Sequence, residues 1–139
     1  MHRRLRGEEG STAELVVVFP FVMFILLLVF QFALWYHATH VAQAAAQEGA
    51  RVARLALPPN AAPGAEQAQA DAGGQLARDF IAGMGAFDNK TVTDSWDPGT
   101  DVVRVTVSGT APSLVPGLRL GISEHSEGRR EKFRPENAP

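Results

Sequence analysis

The chain contains no cysteine, so disulfide frameworks, thiolate metal sites and cysteine nucleophiles are excluded together, and whatever folds must hold by packing alone. It has little net charge, −2 over 139 residues, and no global field argues for nucleic acid or for an acidic partner. A chain of this length allows at most one ordinary domain. Catalytic groupings are missing too. His125 stands in a charged segment without a nucleophile, and Ser108, Ser113, Ser123 and Ser126 have no elbow sequence around them. With no triad, metal set or carboxylate pair to assemble, neither an enzyme nor a bound cofactor is expected. Asp94, Asp97 and Asp101 lack the spacing and final Glu of a calcium loop, and Asp is common in turns anyway. His37 and His40, three apart, lack a third ligand, so no metal is expected there either.

What the chain does have is one long apolar run near its N-terminus. Leu15 to Tyr36 reads LVVVFPFVMFILLLVFQFALWY without a charge, about 22 residues or roughly 33 Å of helix, enough to fill a bilayer core. A run apolar on every side needs either lipid or a large protein around it, and this chain has no such mass. Arg3, Arg4 and Arg6 precede the run, whereas no basic residue follows it until Arg51. That asymmetry places the N-terminus in the cytoplasm and exports the remainder. Trp35 and Tyr36 stand where the helix is expected to leave hydrocarbon, as amphipathic rings prefer. Pro20 removes one helical hydrogen bond and implies a kink or an assembly contact. Gln31 is the strongly polar side chain deep in the run, placed to bond a partner helix or simply tolerated.

The helix is expected to continue through HATHVAQAAAQEGARVARLAL until Pro58 and Pro59. Ala42, Ala46 and Ala50 recur at spacing four, as do Ala45, Gly49 and Ala53. Such rows of small residues permit close approach of another helix. Two uses stay open at this point: assembly with another chain, or an ordinary amphipathic helix resting on its own domain with Val41, Ala45 and Val52 inward and Gln47, Glu48 and Arg51 outward.

Beyond the prolines, Ala61 to Gln75 reads as a linker or weak helix interrupted by Gly73 and Gly74, then Leu76, Ala77, Phe80 and Ile81 give a helical apolar stripe, and a second helix is expected over Glu66 to Ala82. The period then changes. Thr91 to Trp96 and Val102 to Val107 read as a hairpin around Asp97-Pro98-Gly99, with Val103, Val105 and Val107 on one face. Leu118 to Ser123 is a candidate third strand. The run Arg129, Arg130, Lys132, Arg134 is interleaved with Glu131 and Glu136 and reads as a solvated tail. The expected fold class is therefore α+β and membrane-anchored, with a long N-terminal helix (transmembrane plus extension), a second helix, a small antiparallel sheet and a disordered tail. The segments are a basic cytoplasmic leader at 1–10, the transmembrane helix and its extension at 11–57, a linker at 58–65, a small extracytoplasmic α+β domain at 66–123 and a polar tail at 124–139. A sheet of this size is near the lower limit of independent stability.

The basic leader, Gly10 followed by Ser11, Thr12, Ala13 and Glu14, the long apolar helix with Pro20, and then Gln47, Glu48, Gly49, Ala50 and Arg51 together resemble the TadE-like family. These are minor pilins, or pseudopilins, of the tight adherence (Flp-type) pilus and secretion machinery. The resemblance runs from about Arg6 to Leu57. It implies a single-pass protein of the cytoplasmic membrane, with the membrane, a prepilin peptidase, other pilin-like subunits and the pilus assembly platform as partners. It also implies cleavage between Gly10 and Ser11. The family's acidic residue usually sits five places after the cut, whereas Glu14 is the fourth. Beside hydrocarbon, a carboxylate gains from pairing with a neighbouring subunit's N-terminal ammonium, or from the helix N-terminus and headgroup water. The helix-packing residues expected on this reading are Pro20, Ala42, Ala45, Ala46, Gly49, Ala50 and Ala53. The competing expectation is an unprocessed single-pass membrane protein whose outward domain binds a ligand.

Overall fold

The computed structural model describes residues 9–132, with the backbone alone at 9–13. The expected leader through residue 8 and the end of the expected tail, 133–139, lie outside the described residues.

Apolar residues followed by an Ala-rich stretch propagate one helix, α1, over Glu9–Ala53. Pro20 is accommodated inside it. The helix ends four residues short of the expected 57. The last turn tightens, with Arg54 N–H donating to Ala50 O (3.1 Å) and Leu55 N–H to Val52 O (3.2 Å), and the residue before Pro58 is sterically barred from helical ψ. The chain reverses through residues 54–64 and enters α2, Ala65–Met84. α2 matches the second helix expected over Glu66 to Ala82, one residue longer at its start and two at its end, and Gly73 and Gly74 lie within it. It stops at Gly85, whose φ of 56° takes the left-handed conformation.

Three strands follow: β1, Asp88–Asp97; β2, Val102–Thr110; and β3, Gly121–Arg129. They form an antiparallel meander in the order β1-β2-β3. The expected hairpin holds, with Trp96 opposite Val103 and Val92 opposite Val107. Val103, Val105 and Val107 have no exposed surface, and burying each stabilises the fold by about 1.5–3 kcal/mol. The third strand starts three residues later than expected and runs on through residues 124–129, which were expected in the polar tail. Backbone pairing to β2, from Thr110 opposite Gly121 to Val102 opposite Arg129, needs no apolar side chains, and the solvent-facing side of an antiparallel sheet reads as polar sequence.

The two helices run antiparallel and cover one face of the sheet. Gln69 Nε2–H of α2 donates to Val52 O of α1 (2.7 Å), and Gly49 of α1 lies against Gly73, Ala77 and Val105. From this junction, the rest of the domain extends back along α1 toward Gln31. Val41 and Ala45 are buried while Gln47 and Arg51 are exposed, as the amphipathic pattern anticipates.

Candidate interaction surface

Along α1 there is a sharp change in environment. Leu15 to Phe30 is exposed almost throughout, with Phe21 at 66% and Phe30 at 62% of their full accessibility; Leu28 alone in that stretch is half-buried. One residue later Gln31 is only 1% exposed. α1 is a helix long and apolar enough to cross a membrane, and it lies near the N-terminus. Pro20 stands in its bare part.

Gln31 marks where the domain begins. Its Nε2–H donates to Pro112 O (3.0 Å), and its Oε1 accepts from Leu114 N–H (2.7 Å). One turn on, Trp35 Nε1–H donates to Gly121 O (3.2 Å) at the start of β3. Neither reading left open for Gln31, a bond to a partner helix or simple tolerance, describes it: both ends of its amide are engaged by the loop between β2 and β3, at a sequence separation no local pattern reports.

The row of small residues is likewise used within the chain. Ala42, Ala45, Ala46, Ala50 and Ala53 have no exposed surface. A β-carbon on Gly49 would lie 2.7 Å from Gly73 O and 3.1 Å from Ala77 Cβ. Of the two uses left open, the structure shows the second: these small residues are buried in the chain's own domain, with Gly49 and Ala53 at the contact between α1 and α2. Gly10 and Ser11 lie in the first turns of α1, and Glu14 is exposed at the edge of the apolar run.

The polar candidates separate. His37 and His40 are exposed on the outer side of α1, where Tyr36 meets His40 edge-to-face with ring centroids 4.2 Å apart. Asp94 turns inward onto α2, pairing with Arg78 (2.9 Å) in the space left by the missing side chain of Gly74. Burial pushes its carboxyl above the usual range, and the hydrogen bond with Asp71 adds to that, against the opposing pull of Arg78. Asp97 caps the hairpin turn, accepting from Thr100 Oγ (2.6 Å) and Gly99 N–H (2.9 Å), and these bonds hold it below the usual range. Asp101 accepts from Trp96 Nε1–H (3.2 Å). Among the described residues no group of three or more His, Asp or Glu could hold a metal ion.

Arg130 corrects the expectation of a solvated tail at its first residues. It is 8% exposed, with its guanidinium 5.1 Å over the Trp96 ring and Nε 3.7 Å from Asp101. A basic run looks the same in sequence whether its side chains are hydrated or folded over a distant aromatic ring.

No curated protein and no solved structure matches the chain. The family model described as TadE-like protein matches residues 10–51, a span that includes Gly10 to Glu14, the bare apolar stretch and the Gln47 to Arg51 segment, and stops before α2 and the sheet. Over residues 10–51, then, this chain is similar to the TadE-like family, and the matched span takes in the N-terminal motifs that carry the resemblance.

Proposed function

We propose that this protein is a nonenzymatic minor pilin or pseudopilin of a tight adherence (Flp-type) pilus or related secretion apparatus. The observation that supports it most is the bare apolar rod, Leu15 to Phe30, projecting from a domain that encloses only the rest of α1. Such a surface is not stable in water and is suited first to lipid and then to the apolar helices of other pilin-like subunits. With the small-residue row committed to the fold, contacts between subunits fall to this segment, including Pro20. On this reading the N-terminus faces the cytoplasm, the α+β domain faces outward from the cytoplasmic membrane, and a prepilin peptidase cuts between Gly10 and Ser11. Glu14 then pairs with a neighbouring subunit's new ammonium at the edge of hydrocarbon.

The test is intact mass and N-terminal sequencing of the full chain expressed beside its cognate prepilin peptidase, with Gly10→Ala as control. A new N-terminus at Ser11, absent from the control, is the expected result. An intact N-terminus would favour a permanently anchored protein with an outward ligand-binding domain.

A further inference from the structure

We infer that the loop Ala111–Leu120 beds into the membrane surface beside α1 and carries Leu114 to the boundary between headgroups and acyl chains. The inference rests on α1 being the membrane anchor and adds a second lipid contact, made by the domain itself.

The bare stretch Leu15 to Phe30 supplies about 24 Å of helix, whereas a hydrocarbon core is about 30 Å thick and takes about 20 residues. Glu14, just before the stretch, opposes sliding the helix toward the N-terminal side, because a carboxylate is costly in hydrocarbon. The missing length must come from the other end, which brings Gln31 to Leu34 into the apolar layer. Leu114 is bonded directly to Gln31, at 2.7 Å, so it shares that depth.

Irregular backbone is tolerated at membrane depth only where its polar groups are satisfied within the protein. Pro112 and Pro116 have no N–H to satisfy. Pro112 O and Leu114 N–H are taken by Gln31. Val115 O accepts from Ser113 Oγ (2.7 Å) and Leu118 N–H (3.1 Å), and Ala111 N–H donates to Leu120 O (2.9 Å). Gln31 thereby satisfies two backbone groups of the loop. Those without an internal partner among the described residues, such as the N–H of Ser113 and Val115, are left to headgroup water, which places the loop at the interface rather than in the hydrocarbon.

APSLVPGLRL contains one arginine and no acid. Leu114 is 49% exposed despite its bonded backbone, and Arg119 is exposed. Trp35 and exposed Tyr36 stand at the same level of α1, the residue types that concentrate in the interfacial layer. An apolar tip with a single cation beside it suits a bilayer containing anionic lipid.

The absence of native cysteine permits single-site labelling. The full chain is reconstituted in vesicles of phosphatidylethanolamine and phosphatidylglycerol with a nitroxide at Leu114→Cys, Ser113→Cys, Phe24→Cys or Thr100→Cys, and accessibility to oxygen and to a water-soluble nickel chelate is read by electron paramagnetic resonance. Labels at 114 and 113 are expected to be protected from the chelate at least about threefold relative to Thr100 at the far hairpin turn, approaching the protection at Phe24. Ser113→Cys is nearly isosteric and decides the matter should Leu114→Cys disturb the fold. If Phe24 is protected while 113 and 114 are as accessible as Thr100, the anchor stands, the bilayer has thinned to meet it, and the inference is overturned. If Phe24 is itself open to the chelate, the anchor reading fails and takes the inference with it.

Discussion

Gly73 O of α2 occupies the space where a β-carbon on Gly49 of α1 would begin, 2.7 Å away. The two helices cross on bare backbone, and neither partner of that contact is a flexible side chain able to move aside. Gly49→Ala must therefore separate the helices. The expected cost is about 1–3 kcal/mol, measured by urea unfolding of the full chain in detergent micelles. Gly83, where nothing lies within 4 Å of an added β-carbon, is the control. Gly83→Ala is expected to be neutral or to stabilise by up to about 1 kcal/mol.

Gln31 holds the β2–β3 loop by both ends of its amide. Gln31→Leu keeps the volume and strands Pro112 O and Leu114 N–H, at about 1–3 kcal/mol for each group left unpaired. Hydrogen exchange at Leu114 should accelerate by at least about tenfold, with the β1–β2 turn unchanged. Equal exchange in the two proteins would mean that the loop is held by something other than this residue.

Arg130 covers the Trp96 ring at the end of the sheet away from the bare apolar segment. Arg130→Ala removes this cation–π contact along with the packing of its aliphatic stem, and a loss of about 1–2 kcal/mol is expected. In a Trp35→Phe background Trp96 is the remaining tryptophan, and its emission should shift to the red as the ring is uncovered.

Two carboxyls give opposite responses to acid. Asp97 is held below 3.8 by its turn bonds, so its contribution is present above 3.8 and is lost as pH falls through the folded value. Asp94 is raised above 3.8 by burial, so the folded state takes up its proton more readily and gains stability as pH falls through that raised value. Asp97→Asn should lower the Tm at neutral pH, with the gap to the parent closing once both are well below pH 3.8. A gap that persists undiminished in strong acid would show that the ionised carboxylate is not what caps the turn.

Residues whose roles depend on near neighbours were legible from the outset. The membrane-length run, the turn at Asp97 to Gly99 and the shared face of Val103, Val105 and Val107 follow from local periodicity and turn chemistry. The mixed result came from Ala42 to Ala53, where spacing establishes that a helix packs closely but does not say on what. Gly73 and Gly74 read only as weak points of the expected second helix because propensity counts their entropy alone; in the fold their missing side chains admit Gly49 and Asp94, and packing outweighs a helical penalty of about 1 kcal/mol per glycine.

The sequence alone determined that a helix carrying one uncharged apolar run precedes a small α+β domain, because hydropathy and period are properties of consecutive residues. Only the tertiary structure decided where that helix ceases to be bare. Gln31 meets Pro112 and Leu114, Trp96 lies under Arg130, and Gly49 faces Gly73. Each of these contacts closes a long loop whose entropy cost is recovered only when the surrounding core forms with it, and a linear pattern carries no record of such pairings.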